Sequence, residues 1–98
     1  MTFEWDERKN RANKRKHGIS FEESVRVFND EDALEIYDKE HSTAEDRYVV
    51  IGRISEVVIV CLVCNYRNPE LVRIISSRPA NAKEKEEYYE SYKINHLG

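Results

Sequence analysis

The chain has 98 residues, 40% hydrophobic and 36% charged, with three Gly, two Pro and two Cys. That is one small globular domain over residues 1–98, too short for a second core and too poor in cysteine for a disulfide framework. The longest apolar run, residues 57–64, is far below the ~20 needed to cross a bilayer, and the N-terminus lacks the pattern of a secretory signal, so a cytoplasmic protein is expected. The net charge of −3 hides a bipolar chain. Residues 1–20 carry six basic and three acidic side chains, residues 21–46 two basic and ten acidic, and residues 47–80 five arginines and two glutamates. A basic face can therefore exist on an acidic protein, and it is the local field that steers a polyanion.

In chain order, Phe3 and Trp5 alternate with Glu4 and predict a short opening strand. Asp6 is then an N-cap, Glu7 suits the positive end of a helix, and Gly18 a C-terminal stop. Between residues 6 and 17 only Ala12 is apolar, so core packing cannot hold this helix and its basic charge calls for another reason. A second helix begins with a Ser20–Glu23 capping box, carries Phe21, Val25 and Phe28 on one face, and is expected to end near Asn29. Residues 33–37 read as a strand and 38–46 as a charged loop. Residues 47–54 and 56–66 are two β-branched strands around a tight connection at Ser55, and residues 67–70 a turn set by Pro69. The last strand, residues 71–77, is expected to break at Arg78-Pro79 before a helix capped by Asn81 and Glu84 and bearing Tyr88, Tyr89 and Tyr92. This order predicts an α+β fold: a small antiparallel meander with two N-terminal helices and one C-terminal helix.

Cys61-x-x-Cys64 has the spacing of a metal or redox pair, but in a strand the two thiols point to opposite faces. With no second pair and three dispersed histidines, they read as buried small hydrophobes, and no metal or other cofactor is expected. Phosphate-binding glycine loops and calcium-loop spacing are absent. The arginines are placed unusually. Arg73 shares a face with Leu71 and Ile75, Arg78 falls with Val72, Ile74 and Ser76, and Arg47 and Arg53 are read on opposite faces unless their strand bulges near Gly52. Arginines off the open face of a sheet would make a phosphate-binding surface, unless Glu45, Asp46, Glu56 or Glu70 pairs with them. Cleaving RNA requires a base for the 2′-hydroxyl, cations for the phosphorane and an acid for the leaving oxygen, with no metal needed. His17 suits proton transfer.

Phe3-x-Trp5-Asp6, Asn13-x-x-Lys16-His17-Gly18-Ile19-Ser20-Phe21-Glu22 and Val27-Phe28-x-Asp30 resemble the N-terminal signature of the BrnT family of toxins. Arg47-x-x-x-Ile51-Gly52 and Arg73-Ile74-Ile75-Ser76-x-Arg78-x-Ala80, with Glu84 and Tyr88, continue the resemblance over about residues 3–92. It implies a RelE-like fold and a ribonuclease that inhibits translation and growth. It also implies a BrnA-type antitoxin partner in a 2:2 heterotetramer that meets promoter DNA only through the antitoxin, with no membrane partner. His17, Arg47 and Arg78 are the expected catalytic group, and Lys14, Lys16, Arg53, Arg73 and Tyr88 the expected RNA contacts. The competing reading is a module of the same fold that holds RNA or a protein without cleaving. Duplex DNA binding by the chain itself is disfavoured by its acidic middle block.

Overall fold

The computed structural model describes residues 1–97. Its elements are β1 (Thr2–Glu4), α1 (Glu7–His17), α2 (Phe21–Ser24) running into a 3-10 helix (Val25–Asn29), β2 (Leu34–Tyr37), β3 (Tyr48–Arg53), β4 (Ile59–Asn68), β5 (Leu71–Pro79) and α3 (Ala82–Asn95). The predicted α+β class holds, with one change of topology. Strands β2 to β5 form the antiparallel meander, but β1 adds to the edge of β5 in parallel, giving the order β1-β5-β4-β3-β2.

Helix α1 has the expected ends. The Asp6 carboxylate accepts the Arg8 and Lys9 N–H groups, and Gly18, at φ 76°, donates its N–H to the Lys14 carbonyl at 2.8 Å. Its only buried residue is Asn10, and Ala12 is exposed. Two asparagines do what apolar side chains would normally do. Asn10 accepts the Phe21 N–H at 2.7 Å and donates to Glu22. Asn13 pairs its amide with the backbone of Ser77, donating to the carbonyl at 2.7 Å and accepting the N–H at 3.3 Å, and donates also to the Ile19 carbonyl at 3.0 Å. The second helix starts at the predicted capping box but lasts a single turn before tightening to 3-10. Tertiary packing explains the change: a Cβ on Gly52 would lie 2.6 Å from Val27 and 2.8 Å from Ala33, so this segment is pressed against β3 where no side chain fits. Asp30 then closes the contact, its carboxylate accepting the Arg53 N–H and the Tyr88 hydroxyl, each at 2.8 Å.

The last two strands end later than predicted, whereas β2 and β3 are slightly shorter. The β4–β5 turn shortens to Pro69 and Glu70, and β5 continues through Arg78 to Pro79, beyond the expected break at Ser77. A β-bulge decides which way β5 faces. Cys64 pairs with Ile74 and Val63 with Ser76, leaving Ile75 as the extra residue. Val72 and Ile74 therefore point into the main core, whereas Ser76 and Arg78 fall on the opposite face, correcting the shared face expected for them. An even spacing of six would put Arg47 and Arg53 on one face of an unbroken strand rather than two, but β3 begins only at Tyr48, so Arg53 shares the face of Val49 and Ile51 while Arg47 precedes the strand.

Phe21, Val27, Val50, Val60, Leu62, Cys64, Val72 and Ile74 form the main core beneath α2 and the 3-10 helix. On the other face Ile51, Ile59, Cys61, Ala80 and Tyr88 form a smaller core beneath α3. The two cysteines are thus on opposite faces, as expected. No helix among the described residues is long and apolar enough to cross a membrane.

Candidate active site

Strand pairing lays the second face out in rows. Leu34, Ile51, Cys61 and Arg78 make one, Ile36, Val49, Val63 and Ser76 the next. The first is packed by α3, and the second is left open, with Ile36 44% exposed and Val49, Val63 and Ser76 half-buried. A cleft of about 500 Å³ occupies this opening. Its floor is Val49, Cys61 and Val63; β5 supplies Ser76, Ser77 and Arg78; α3 supplies Glu84; Lys16 and His17 enter from the end of α1, and Asp38 from the end of β2. The structure thus gathers one backbone-clamped helix end and one strand end around an apolar floor.

His17 is half-buried and has no side-chain hydrogen bond among the described residues, which leaves both ring nitrogens open to a ligand. Lys16 is exposed and has no ion pair among the described residues. Arg78 is different from the free strand-end cation expected of it. Its two terminal nitrogens donate end-on to the two Glu84 carboxylate oxygens, at 2.7 and 2.9 Å, and Glu84 in turn completes the N-cap of α3 by accepting the Asn81 N–H at 2.9 Å. The Arg78 guanidinium, outweighing burial, holds the Glu84 carboxyl down to about 2, and Glu84 raises Arg78 in return. Burial first, then the neighbouring Glu84, push the Cys61 thiol up to about 12, so it stays protonated and is no nucleophile.

The other expected residues divide. Arg47 does not line the cleft but lies just before β3; its carbonyl accepts the N–H of Asp38, a cleft residue, at 2.8 Å, and its Nε is buried without a partner among the described residues. Lys14 is exposed on α1, outside the cleft. Arg73 pairs across the sheet edge with Glu4 at 3.5 Å. Arg53 is not brought to the cleft: it sits at the other end of β3, about 20 Å from Arg47 by strand rise, within 5.2–5.7 Å of the rings of Tyr88, Tyr89 and Tyr92. Tyr88 is 0% exposed with its hydroxyl on Asp30, which rules out the direct RNA contact expected of it. Neither Arg73 nor Arg78 uses the carboxylates anticipated from sequence.

Sequence reasoning missed the Asn13 clamp, Asp38, Ser76 and the apolar floor. The clamp had a signal. Asn10, Asn13 and His17 recur at i, i+3 and i+7, the stripe an amphipathic helix reserves for apolar residues. Among the described residues no group of three or more His, Cys, Asp or Glu side chains is placed to hold a metal.

Residues 5–84 match a family model described as the ribonuclease toxin BrnT of type II toxin–antitoxin systems. The chain belongs to the BrnT family. It is similar to the Brucella abortus ribonuclease toxin BrnT, known from a 1.1 Å crystal structure, with 26% identity and a TM-score of 0.66 over 83% of this chain and 97% of that one. No curated protein sequence matches it. Every residue lining the cleft, from Lys16 to Glu84, falls inside the BrnT match.

Proposed function

We propose that this BrnT chain is an endoribonuclease that cuts RNA in the cleft without a metal, arrests translation and growth, and is silenced by a BrnA-type antitoxin. The observation that carries this reading is the convergence of His17, Lys16 and Arg78 on one open apolar floor beside a helix whose cations have no ion pair among the described residues. In the reaction, a base takes the 2′-hydroxyl proton, the 2′-oxygen attacks phosphorus, and the bond to the 5′-oxygen breaks as that oxygen gains a proton. The products are a 2′,3′-cyclic phosphate and a 5′-hydroxyl. His17 is the group suited to move a proton, and Lys16 and Arg78, with Arg47 from the rim, stabilise charge developing on phosphorus. Since Glu84 already neutralises Arg78, the Arg78 fork acts chiefly by orientation, and the free charge comes from α1.

Purified protein incubated with RNA in excess EDTA tests this: new 5′-hydroxyl ends are expected. Cleavage only on addition of a divalent ion would overturn the metal-free mechanism, and no cleavage at all would overturn the nuclease in favour of an RNA-holding module.

A type II toxin works with an antitoxin. The uncovered row Ile36–Val49–Val63 and the unpaired edge of β2 are the apolar surface such a partner would cover, in competition with RNA. The acidic segment 21–46 meets basic antitoxin residues at the rim, where charge alters association rate more than affinity. Antitoxin dimerisation then gives a 2:2 assembly, which contacts promoter DNA through the antitoxin alone. Light scattering should return that mass; a 1:1 complex, or one that still binds RNA, would contradict it.

A further inference from the structure

We propose that a second groove, between α1 and the bulge of β5, seats a nucleotide next to the two that the cut bond joins, so that the chain grips single-stranded RNA over at least three positions. This rests on the reading of the cleft as the cutting site and deepens it. The groove, of about 270 Å³, has Ala12 and Ile75 as its apolar floor and Lys9 and Lys16 along one side. Lys16, His17 and Ser76 line both it and the cleft, so the two are continuous.

Three features of the fold converge here. Ile75 is the residue left over by the bulge, and bulges re-aim side chains next to working sites. Ala12 is the one apolar residue of the central part of α1, and it is exposed rather than packed. Lys9 and Lys16, seven residues apart, stand about 10 Å from each other along one side of the helix, and neither has an ion pair among the described residues. An apolar strip edged by two free cations suits a sugar or base face with flanking phosphates. A duplex keeps those faces stacked, so the occupant is a single strand. Apart from His17 and Ser76, which the groove shares with the cleft, its one other uncharged polar side chain is Asn13, whose amide is engaged by the Ser77 backbone and the Ile19 carbonyl, which leaves no base reader of the groove's own. Grip without strong base preference follows.

The test is a binding series with uniformly 2′-fluoro oligonucleotides, which cannot be cut, comparing a dinucleotide with a tetranucleotide. The wild-type protein should bind the longer one roughly fivefold or more tightly, as expected from a phosphate contact plus a small apolar contact. Lys9→Ala and Ile75→Ser should each remove most of that gain, and Lys9→Ala should flatten the salt dependence by about 0.7. Equal binding of both lengths by wild type, or a full gain in Lys9→Ala, would overturn the groove. Lys9 is exposed, so that variant folds regardless of the fate of Ile75→Ser. Cleavage of ordinary RNA, measured in parallel, separates the two claims: cutting with an undiminished gain in the variants removes the groove alone, and a lost gain without cutting removes the nuclease alone.

Discussion

Helices α1 and α3 both dock on the sheet without an apolar stripe, each burying one residue, Asn10 in α1 and Tyr88 in α3. They differ in what their charges do. Helix α3 is fastened by its ionic and polar groups: Glu84 on Arg78, Tyr88 on Asp30, Asn95 and His96 on Asp32, and three tyrosine rings around Arg53. Its outer side mixes Lys83, Lys85 and Lys93 with Glu86, Glu87 and Glu90. Helix α1 is fastened by neutral amides, and Arg8, Lys9, Arg11, Lys14, Arg15 and Lys16 have no ion pair among the described residues. Charges that a fold does not need for docking are the ones available to a polyanion. The comparison thus separates architecture from working surface, and each half of it can be attacked.

The largest expected effect is at the end of α1. His17→Gln should lower RNA cleavage by roughly 10²–10⁴, the usual contribution of a proton-transferring side chain, with no change in melting temperature because the ring makes no hydrogen bond within the described residues. Cleavage at the wild-type rate would remove His17 from the chemistry.

Next comes the clamp. Asn13→Ala leaves the Ser77 N–H and carbonyl without their α1 partner, and should destabilise the fold by about 2 kcal/mol in urea unfolding. Cleavage should fall with it, since the helix end carrying Lys16 and His17 loses its tie to β5. Unchanged stability would show that α1 is held by something other than its amides.

Much of this was legible in the sequence, and the failures share a cause. Caps, strand order and the cysteine faces depend on local chemistry and on period-2 alternation, so Asp6, Gly18, Ser20, Asn81 and Cys61-x-x-Cys64 read correctly. The errors at Arg78 and Val25–Asn29 come from contacts distant in sequence: a bulge that inverts β5, and Gly52 pressed against Val27. Tyr88 looked like an RNA contact because an aromatic on a polar helix is ambiguous until the face it turns to the sheet is known. The place of Lys16 and His17 at the end of α1 follows from the Asp6 and Gly18 caps; that Arg78 enters their cleft already paired with Glu84 follows from no local pattern.

A smaller effect is expected where α3 is tied to the sheet. Arg78→Ala should destabilise by about 1–2 kcal/mol, the half-exposed ion pair being partly screened. The pH dependence has a definite sign. The folded-state value of Glu84 lies at about 2 against an ordinary 4.5, so its contribution is full above about 4.5 and fades as pH falls toward 2. Asp32, lowered chiefly by its hydrogen bond from His96, acts in the same direction. Protection of the α3 amides, taken relative to intrinsic exchange at each pH, should therefore fall as pH drops from about 4.5 toward 2, and Glu84→Gln should already show weak protection above that window. Equal acid sensitivity in that variant would show that the pair does not hold the helix start.

The smallest effect is the most discriminating, because it sets a cation carried by α1 against a β3 cation covered by the rings of α3. Lys14 and Arg53 are both candidates for phosphate contact, yet Lys14 is exposed on α1 while Arg53 is half-buried against the rings of Tyr88, Tyr89 and Tyr92. Lys14→Ala should leave stability within about 0.5 kcal/mol and lower the salt slope of RNA binding by about 0.7, the signature of one lost phosphate contact on a single strand. Arg53→Ala should do the reverse: the salt slope stays, and the fold loses about 1 kcal/mol as the tyrosines lose the cation they surround. The two variants carry the same change in net charge, so any difference between them reflects position and not overall repulsion. If both flatten the slope equally, the RNA path extends under α3 and the division of labour between the helices fails.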